Sequence, residues 1–198
     1  MPSLPWTELI AASIGALSVY WMTQQKPAAW PTGLVMVLMY IWIFYGARLY
    51  SEMLLQMVYV VMQGYGWWQW LRGGDQQQGR AVSSLGTAGI GQGLLVGLCI
   101  SLALGLAMDR YTNANLPWLD AALTGFSLVA QYWMAKKRLQ CWPLWVVLDV
   151  VYVGMFVTAG LYLTAVLYLL FTALAVYGWL EWRVTLKPNP NLRQGLST

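Results

Sequence analysis

Seven long apolar runs dominate this sequence, and each is ended by charged or turn-forming residues. They cover about 6–22, 30–47, 50–71, 86–108, 117–135, 142–159 and 161–182. Because a helix rises 1.5 Å per residue, runs of roughly 17–23 residues can cross a hydrocarbon core of about 30 Å. Strands of a membrane barrel would alternate polar and apolar positions, and these runs do not. The sequence therefore predicts an all-α membrane protein with seven transmembrane helices.

The composition excludes several classes of function. Hydrophobic residues make up 59% of the chain and charged residues only 9%, against about 25% charged in soluble domains. The chain has no His, and its two Cys, Cys99 and Cys141, lack metal-ligand spacing. We therefore expect no enzyme activity, no metal, no cofactor and no nucleic-acid partner. The 13 Trp and 12 Tyr suit a membrane interface, with lipid as a partner.

The basic residues predict the orientation in the membrane. The segments after the first, third, fifth and seventh runs carry nine of them: Lys26, Arg72, Arg80, Lys136, Lys137, Arg138, Arg183, Lys187 and Arg193. The opposite side has only Arg48 and Arg110. Because basic loops stay inside, we expect a multi-pass protein of a bacterial inner membrane, with its N-terminus outside and its C-terminus cytoplasmic.

Residues 6–70 align with residues 118–182 at a constant offset of 112. The shared positions include Trp-Pro at 30–31 and 142–143, and Tyr-Gly-Trp-x-x-Trp at 65–70 and 177–182. Each repeat holds three spans, so the span at 86–108 must restore the orientation of the second repeat. The sequence thus predicts a 3+1+3 arrangement of parallel repeats. Its parts are a first repeat at 1–72, a cytoplasmic linker with the linking helix at 73–116, a second repeat at 117–183, and a disordered tail at 184–198.

Asp149 is an acid inside the sixth span, about 10 Å along the helix from Trp142. A carboxylate at that depth costs a few kcal/mol and normally faces a cavity or a partner. The first repeat has Val37 at the corresponding position, so the repeat itself does not require an acid. Two interpretations remain open. Asp149 either faces a cation in a pathway or ties spans together, with Tyr152 or Lys136 as partner.

Neutral polar residues form stripes on two corresponding helices. Gln56, Tyr59 and Gln63 share one face of the third span, and Tyr168 lies between Thr164 and Thr172 on one face of the seventh. Tyr168 occupies the position of Gln56 in the repeat. These faces suggest a shared ligand-filled space, and hydrogen bonds between helices are the alternative.

The repeated Tyr-Gly-Trp-x-x-Trp places Trp67 with Trp70, and Trp179 with Trp182, one turn apart. Two such pairs could form walls around a flat or cationic ring, and an interfacial aromatic belt is the equal alternative. Six further tryptophans are expected in the belt: Trp6, Trp21, Trp30, Trp118, Trp133 and Trp142.

Three passages carry a resemblance to a known family. LLQMVYVVMQGYGWWQW (54–70), KKRLQCWPLWVVLDVVYVG (136–154) and YGWLEWR (177–183) resemble the Pnu family of bacterial vitamin transporters, most closely its nicotinamide riboside branch, PnuC. The resemblance extends over about 6–183 and includes the 3+1+3 arrangement. It implies facilitated diffusion, trapping of the substrate by cytoplasmic phosphorylation, and a homotrimer with one pathway per protomer.

The resemblance also assigns residues. Gln56 matches a family Gln, Gln63 stands where enterobacterial relatives have Asn, and Trp67 and Trp70 match the family's Trp-x-x-Trp. The sequence departs from some riboside transporters at Asp149 and at Tyr177, where Asn is expected.

Nicotinamide riboside and thiamine are both flat aromatic cations, and either suits aromatic faces with one buried carboxylate. The predicted binding set is Gln56, Tyr59, Gln63, Trp67, Trp70, Asp149, Tyr152, Tyr168, Trp179 and Trp182. In it the tryptophans stack on the ring, Gln56 and Gln63 bond polar groups, and Asp149 compensates the charge. Nicotinamide riboside is the leading substrate, thiamine or another vitamin is the alternative, and a non-transporting scaffold is the different class.

Overall fold

The computed structural model describes residues 5–46, 50–74, 79–111, 116–158, 160 and 162–186. They form seven α-helices: α1 Pro5–Thr23, α2 Ala29–Gly46, α3 Tyr50–Arg72, α4 Thr87–Tyr111, α5 Pro117–Ala135, α6 Cys141–Thr158 and α7 Tyr162–Leu186. No strand occurs among the described residues, whose one β-type pairing is an isolated bridge between Ser83 and Arg138. The all-α prediction is confirmed. Arg48 and the predicted disordered tail from 187 onward lie outside the described residues.

Three helices are long and apolar enough to cross a membrane by their own length and hydropathy: Thr87–Tyr111, Cys141–Thr158 and Thr164–Leu186. Leu9–Thr23 and Ala29–Ile43 are apolar but shorter. In α3 and α5 polar side chains interrupt the apolar runs, and several of these are buried: Gln63, Gln69, Ser127 and Gln131. Large apolar side chains such as Val61, Trp42 and Leu95 instead point outward. A polar interior with an apolar exterior is the pattern of a bundle in lipid.

Six of the helices form a closed ring. In order around it, α1 packs on α2, α2 on α3, α3 on α5, α5 on α6, α6 on α7, and α7 again on α1. The described loop residues at 24–28, 73–74, 79–86 and 136–140 lie at the same end of this ring, which we call the basic end. Helix α4 is not a member of the ring, since its principal packing is along α5.

The packing of α4 on α5 depends on small residues. Gly93, Gly97, Ser101 and Gly105 follow one another at every fourth position and therefore share one face of α4. A Cβ added at Gly97 would lie 2.7 Å from the ring of Phe126, so a larger residue there would push the helices apart. Close approach through small residues is a principal source of helix association in membranes.

The chain between α3 and α4 is partly fixed, although the sequence predicts a cytoplasmic linker of flexible composition here. The backbone N–H of Ser83 donates to the carbonyl of Lys137 at 3.0 Å, and the N–H of Leu139 donates to the carbonyl of Ser83 at 2.9 Å. The side-chain amide oxygen of Gln140 accepts from the N–H of Leu85 at 3.0 Å. Residues 83–85 are therefore attached to the α5–α6 loop by hydrogen bonds, and the flexibility of the linker stays a prediction. Residues 75–78 lie outside the described part.

Candidate functional site

Four tryptophans pack together near the basic end of the ring, and we call them the tryptophan cluster: Trp30, Trp70, Trp142 and Trp182. Trp30 meets Trp70 edge-on at 5.5 Å between ring centroids, and Trp142 meets Trp182 edge-on at 5.3 Å. Trp70 and Trp182 then touch each other at 5.9 Å. Trp30 and Trp182 are 0% exposed, so the cluster is part of the protein core.

Hydrogen bonds fix this cluster across the ring. The Trp70 Nε1–H donates to the carbonyl oxygen of Met134 at 3.1 Å. The Trp182 Nε1–H donates to the carbonyl oxygens of Met22 at 3.3 Å and Thr23 at 3.1 Å. These carbonyls end α1 and α5, where helical carbonyls lack partners in their own helix. Each indole thus ties its own helix, α3 or α7, to the end of a neighbouring one.

The cluster changes the role expected for several tryptophans. Trp70 and Trp182 have buried rings in contact with protein, so the predicted cage cannot use their faces in this structure. Trp30, Trp133 and Trp142 are buried, and the expectation that they belong to an interfacial belt was wrong for these three. Trp6 and Trp118 are exposed, as belt residues are.

The other two cage candidates lie apart from the cluster. Trp67 is 39% exposed and borders a shallow outer cavity with Trp68 and Arg72. Trp179 is half-buried beneath the guanidinium of Arg183, whose central carbon lies 5.0 Å from the ring centroid. The structure therefore does not gather the four predicted tryptophans around one space.

Asp149 is buried within α6, with 5% of its surface exposed. Among the described residues its carboxylate has neither a hydrogen bond nor an ion pair. Lys136, one suggested partner, lies instead beside the rings of Tyr65 and Tyr132. An unpaired buried carboxylate is costly as an anion. Either a bound cation or a proton on the carboxylate would remove this cost for Asp149.

Next to Asp149 along α6 begins an aromatic wall, which consists of Tyr152, Phe156, Tyr168 and Phe171. Tyr152 and Tyr168 lie 4.8 Å apart between centroids, and Tyr168 meets Phe156 at 5.1 Å and Phe171 at 5.7 Å. The wall thus joins α6 and α7 from about the depth of Asp149 onward.

The wall faces the inside of the ring. Tyr152 of α6 is within electrostatic range of Tyr59 of α3 and of Asp149, although α3 and α6 are not neighbours in the ring. At the far end of the wall, the Phe171 ring lies 3.9 Å from a Cβ added at Gly15 of α1. Because α6 and α3 are not neighbours, the interaction of Tyr152 with Tyr59 indicates that Tyr152 lies toward the inside of the ring.

The three predicted polar residues of α3 have different surroundings. Gln63 is 6% exposed, and its Oε1 is buried without a hydrogen-bond partner in the described part of the chain. Its amide end lies against Gly33 of α2, beside the Ser18 hydroxyl. The Tyr59 hydroxyl pairs with the Ser127 hydroxyl of α5 at 2.6 Å. Gln56 is half-buried. The alternative of hydrogen bonds between helices thus applies to Tyr59, whereas Gln63 retains an unused acceptor.

Two indole donors are also unused. The Nε1–H groups of Trp30 and Trp142, at positions 112 residues apart, are buried and have no acceptor among the described residues. Buried polar groups in native proteins are nearly always paired. The described protein groups thus leave these two donors unused, as they do two acceptors, Gln63 Oε1 and the Asp149 carboxylate.

The described inner residues provide hydrogen-bonding groups and aromatic faces. Groups of three or more His, Cys, Asp or Glu that could hold a metal are absent from the described residues. Two surface cavities, one between α3, α4 and α5 and one beside Trp67, lie elsewhere and are not lined by Asp149, Gln63 or the aromatic wall.

Comparison with known proteins adds to this geometry. The model of the nicotinamide mononucleotide transporter family matches residues 5–184, which is nearly the whole chain. The chain belongs to this family. It is a membrane transporter of the Pnu family and not an enzyme. It is a multi-pass protein of a bacterial inner membrane.

Three relatives illustrate the range of the family. The nicotinamide riboside transporter PnuC of Escherichia coli is 27% identical over 204 residues, covering 90% of this chain and 85% of that protein. The riboflavin/roseoflavin transporter RibM of Streptomyces davaonensis is 24% identical, covering 89% and 84%. The crystal structure of the vitamin B3 transporter PnuC shares the fold, with a TM-score of 0.73 at 24% identity over 91% of this chain and 81% of that one.

Proposed function

We propose that this protein takes up a vitamin precursor, nicotinamide riboside, by facilitated diffusion across the inner membrane. The observation that carries the proposal is Asp149, a buried carboxylate without a protein partner beside an aromatic wall inside the ring. Nicotinamide riboside is a flat pyridinium cation with an amide and a ribose. A carboxylate and aromatic faces favour the cation, and Gln63 Oε1 can accept a hydrogen bond from an amide or a hydroxyl.

In this proposal the binding residues are Asp149, Gln63, Gln56, Tyr59, Tyr152 and Tyr168. Trp70 and Trp182 hold the ring closed at the basic end instead of stacking on the ligand. Trp67 and Trp179 lie at the membrane surface. The unused Nε1–H donors of Trp30 and Trp142 would bond the substrate or water once the cluster opens.

Transport would proceed by alternating access between two parallel three-helix repeats, α1–α3 and α5–α7, with α4 as the linking helix. The contacts of the tryptophan cluster support this division, since each partner pair recurs at an offset of 112 residues. The basic end would face the cytoplasm, where phosphorylation converts the substrate into a product that the carrier does not return. The resemblance to the family further suggests a homotrimer with one pathway per protomer.

Riboflavin is a second candidate because a relative of comparable identity is named a riboflavin/roseoflavin transporter. The isoalloxazine ring of riboflavin is neutral, so it would offer no positive charge to the Asp149 carboxylate. Thiamine is cationic and remains the alternative suggested by the same carboxylate. A scaffold without transport activity would bind none of the three.

Calorimetry on the purified protein tests these possibilities with nicotinamide riboside, thiamine and riboflavin. We expect binding of the riboside, and about a 10- to 100-fold loss in Asp149→Asn, since a charged partner contributes roughly 1.5–3 kcal/mol. The neutral dihydro form of the riboside is the matched ligand and should lose less than about threefold. Equal losses for both ligands would indicate a structural role for Asp149. Tight binding of riboflavin or thiamine alone would identify that vitamin, instead of the riboside, as the substrate.

A further inference from the structure

A cavity of about 800 Å³ lies outside the six-helix ring, between α3, α4 and α5, and we call it the α4 groove. Its walls are mostly apolar and include Val58 of α3, Val96 and Ile100 of α4, and Leu128 of α5. Val96 is 48% exposed, so this wall is open to the membrane interior. The groove contains none of the residues proposed to bind the vitamin.

Three basic side chains line the same cavity at the basic end: Arg80, Lys136 and Arg138. Arg80 Nε–H donates to Gln69 Oε1 at 3.2 Å, and an Arg138 terminal N–H donates to the Ser83 hydroxyl at 2.9 Å. The Lys136 ammonium lies 5.2 Å from the Tyr65 ring centroid. Within the described part of the chain none of the three is paired with a carboxylate. The described residues therefore leave their positive charge uncompensated.

These cations are held in place by the backbone. Ser83 and Arg138 form a parallel bridge, which attaches the segment of Arg80 to the loop of Lys136 and Arg138. The groove thus combines a fixed cationic mouth with an apolar channel that continues into the hydrocarbon layer. A soluble anion would use only the mouth, whereas a molecule with an anionic head and apolar tails would use both parts.

We infer that the α4 groove binds one anionic phospholipid of the cytoplasmic leaflet. Its phosphate lies between Arg80 and Arg138, with Lys136 beside it, and its acyl chain lies along Val58, Val96 and Ile100. Basic pockets between membrane helices on the cytoplasmic side have this preference for anionic headgroups. The position 112 residues before Arg138 is Lys26, which is exposed and has no helix corresponding to α4 beside it. The site therefore occurs once per chain.

The test is native mass spectrometry of the purified chain with phosphatidylglycerol and with phosphatidylcholine of the same acyl chains. We expect phosphatidylglycerol to be retained at least tenfold more tightly. Arg80→Gln with Arg138→Gln should remove that preference, and Val96→Trp should weaken retention of phosphatidylglycerol by filling the apolar channel without a change of charge. Lys26→Gln with Arg72→Gln removes the same charge elsewhere and should leave the preference intact.

Four results would overturn the inference. Equal retention of the two lipids would show that charge does not select the occupant, as would an unchanged preference in the Arg80 and Arg138 variant. Inorganic phosphate that competes with phosphatidylglycerol at equal concentration would indicate a soluble anion site. Burial of the groove by a second copy, detected as a cross-link through Val96→Cys, would assign it to an interface. Unchanged melting temperatures confirm that each variant is folded, and none of these readouts depends on vitamin binding.

Discussion

At the scale of single residues, Lys137 and Gln25 form an unusual pair. They are 112 residues apart, both have positive φ, at 47° and 56°, and the Lys137 ammonium reaches Gln25 Oε1 at 3.4 Å. The same ammonium lies 4.6 Å from the ring centroid of Trp70. Lys137 is buried in the α5–α6 loop, and this burial lowers the pKa of its side chain. The charge is thus stabilised by a ring and an amide but penalised by loss of water.

The pH dependence of stability would show whether desolvation of Lys137 or its contacts with Trp70 and Gln25 has the larger effect. A lowered pKa means that the folded protein binds this proton less well than the unfolded chain. Stability should therefore rise with pH in the window from the folded pKa up to the ordinary value of 10.5. We expect the melting temperature of the wild type, relative to Lys137→Gln, to increase with pH across that window. The difference between the two proteins cancels all other titrating groups.

Lys136→Gln is the matched control, since Lys136 is half-buried over Tyr65 and Tyr132 rather than over Trp70. It removes the same charge from the same loop without removing a contact to Trp70, so the effect specific to Lys137 is the difference between the two variants. A wild-type advantage that falls with rising pH would mean that attraction to Trp70 outweighs desolvation, contrary to the expectation. Cation–π contacts can contribute about 2 kcal/mol when desolvated, which is large enough for the experiment to detect such an attraction.

Sequence reasoning identified Asp149 and Gln63 as buried polar residues because their depth in an apolar run is countable. It failed for Trp30 and Trp142, whose position at a helix start suits an interfacial belt equally well. The missed signal was Gly66 and Gly178 in the repeated motif. A Cβ added at Gly178 would lie 2.6 Å from the Trp142 ring, and Gly66 contacts Trp30 in the same way. A glycine at a fixed distance from a repeated tryptophan indicates a buried ring rather than an interfacial one.

At the scale of helices, the bounds could be predicted within a few residues because lipid requires long apolar runs and because charges end them. The partner of α4 could not be predicted, since every helix of the chain offers an apolar surface. Gly93, Gly97, Ser101 and Gly105 did carry that information as small residues at every fourth position. The attachment of Ser83 to the α5–α6 loop depends on backbone N–H and C=O groups. Because nearly every residue carries these groups, the sequence does not reveal which of them will pair.

Trp70 and Trp182 test whether the tryptophan cluster holds helices or ligand. Replacing either by Phe removes an indole N–H donor, although the carbonyls of Met134 and Met22 still accept the backbone N–H groups of Lys137 and Gln25. We expect each variant to lose about 1–3 kcal/mol of stability from the lost hydrogen bond and the smaller buried ring, measured as a lower melting temperature in detergent. The double variant should be non-additive because the two rings are in contact.

Trp67→Phe is the control for this pair, since Trp67 is exposed and should have little effect on melting. Calorimetry with the riboside at a temperature where all variants are folded completes the test. The affinity should be the same in Trp70→Phe and in the wild type. A large loss of affinity without a loss of stability would indicate that Trp70 contacts the ligand. It would contradict the proposal that Trp70 only holds helices together.

At the scale of the whole molecule, the two proposed repeats meet in two kinds of place. At the basic end they are fastened by Trp70 to α5, by Trp182 to α1, and by Lys137 to Gln25. Farther along the ring, Tyr59 binds Ser127, and the aromatic wall faces α3. Rocking of one repeat against the other must break the first set of contacts if the substrate is to leave at the basic end. These contacts therefore define an inner gate in the proposed mechanism.

Cross-linking Gln25→Cys to Lys137→Cys with a short bismaleimide should hold that gate shut. We expect a loss of riboside exchange in proteoliposomes with binding from the opposite side retained, because the aromatic wall and Asp149 are untouched. Each single cysteine treated in the same way is the control, in a Cys99→Ser background since Cys99 is exposed. Exchange at the normal rate in the cross-linked protein would mean that the repeats do not separate there. Labelling of the same cysteines by an impermeant maleimide only in inside-out vesicles would place the gate in the cytoplasm, as the positions of the basic residues predict.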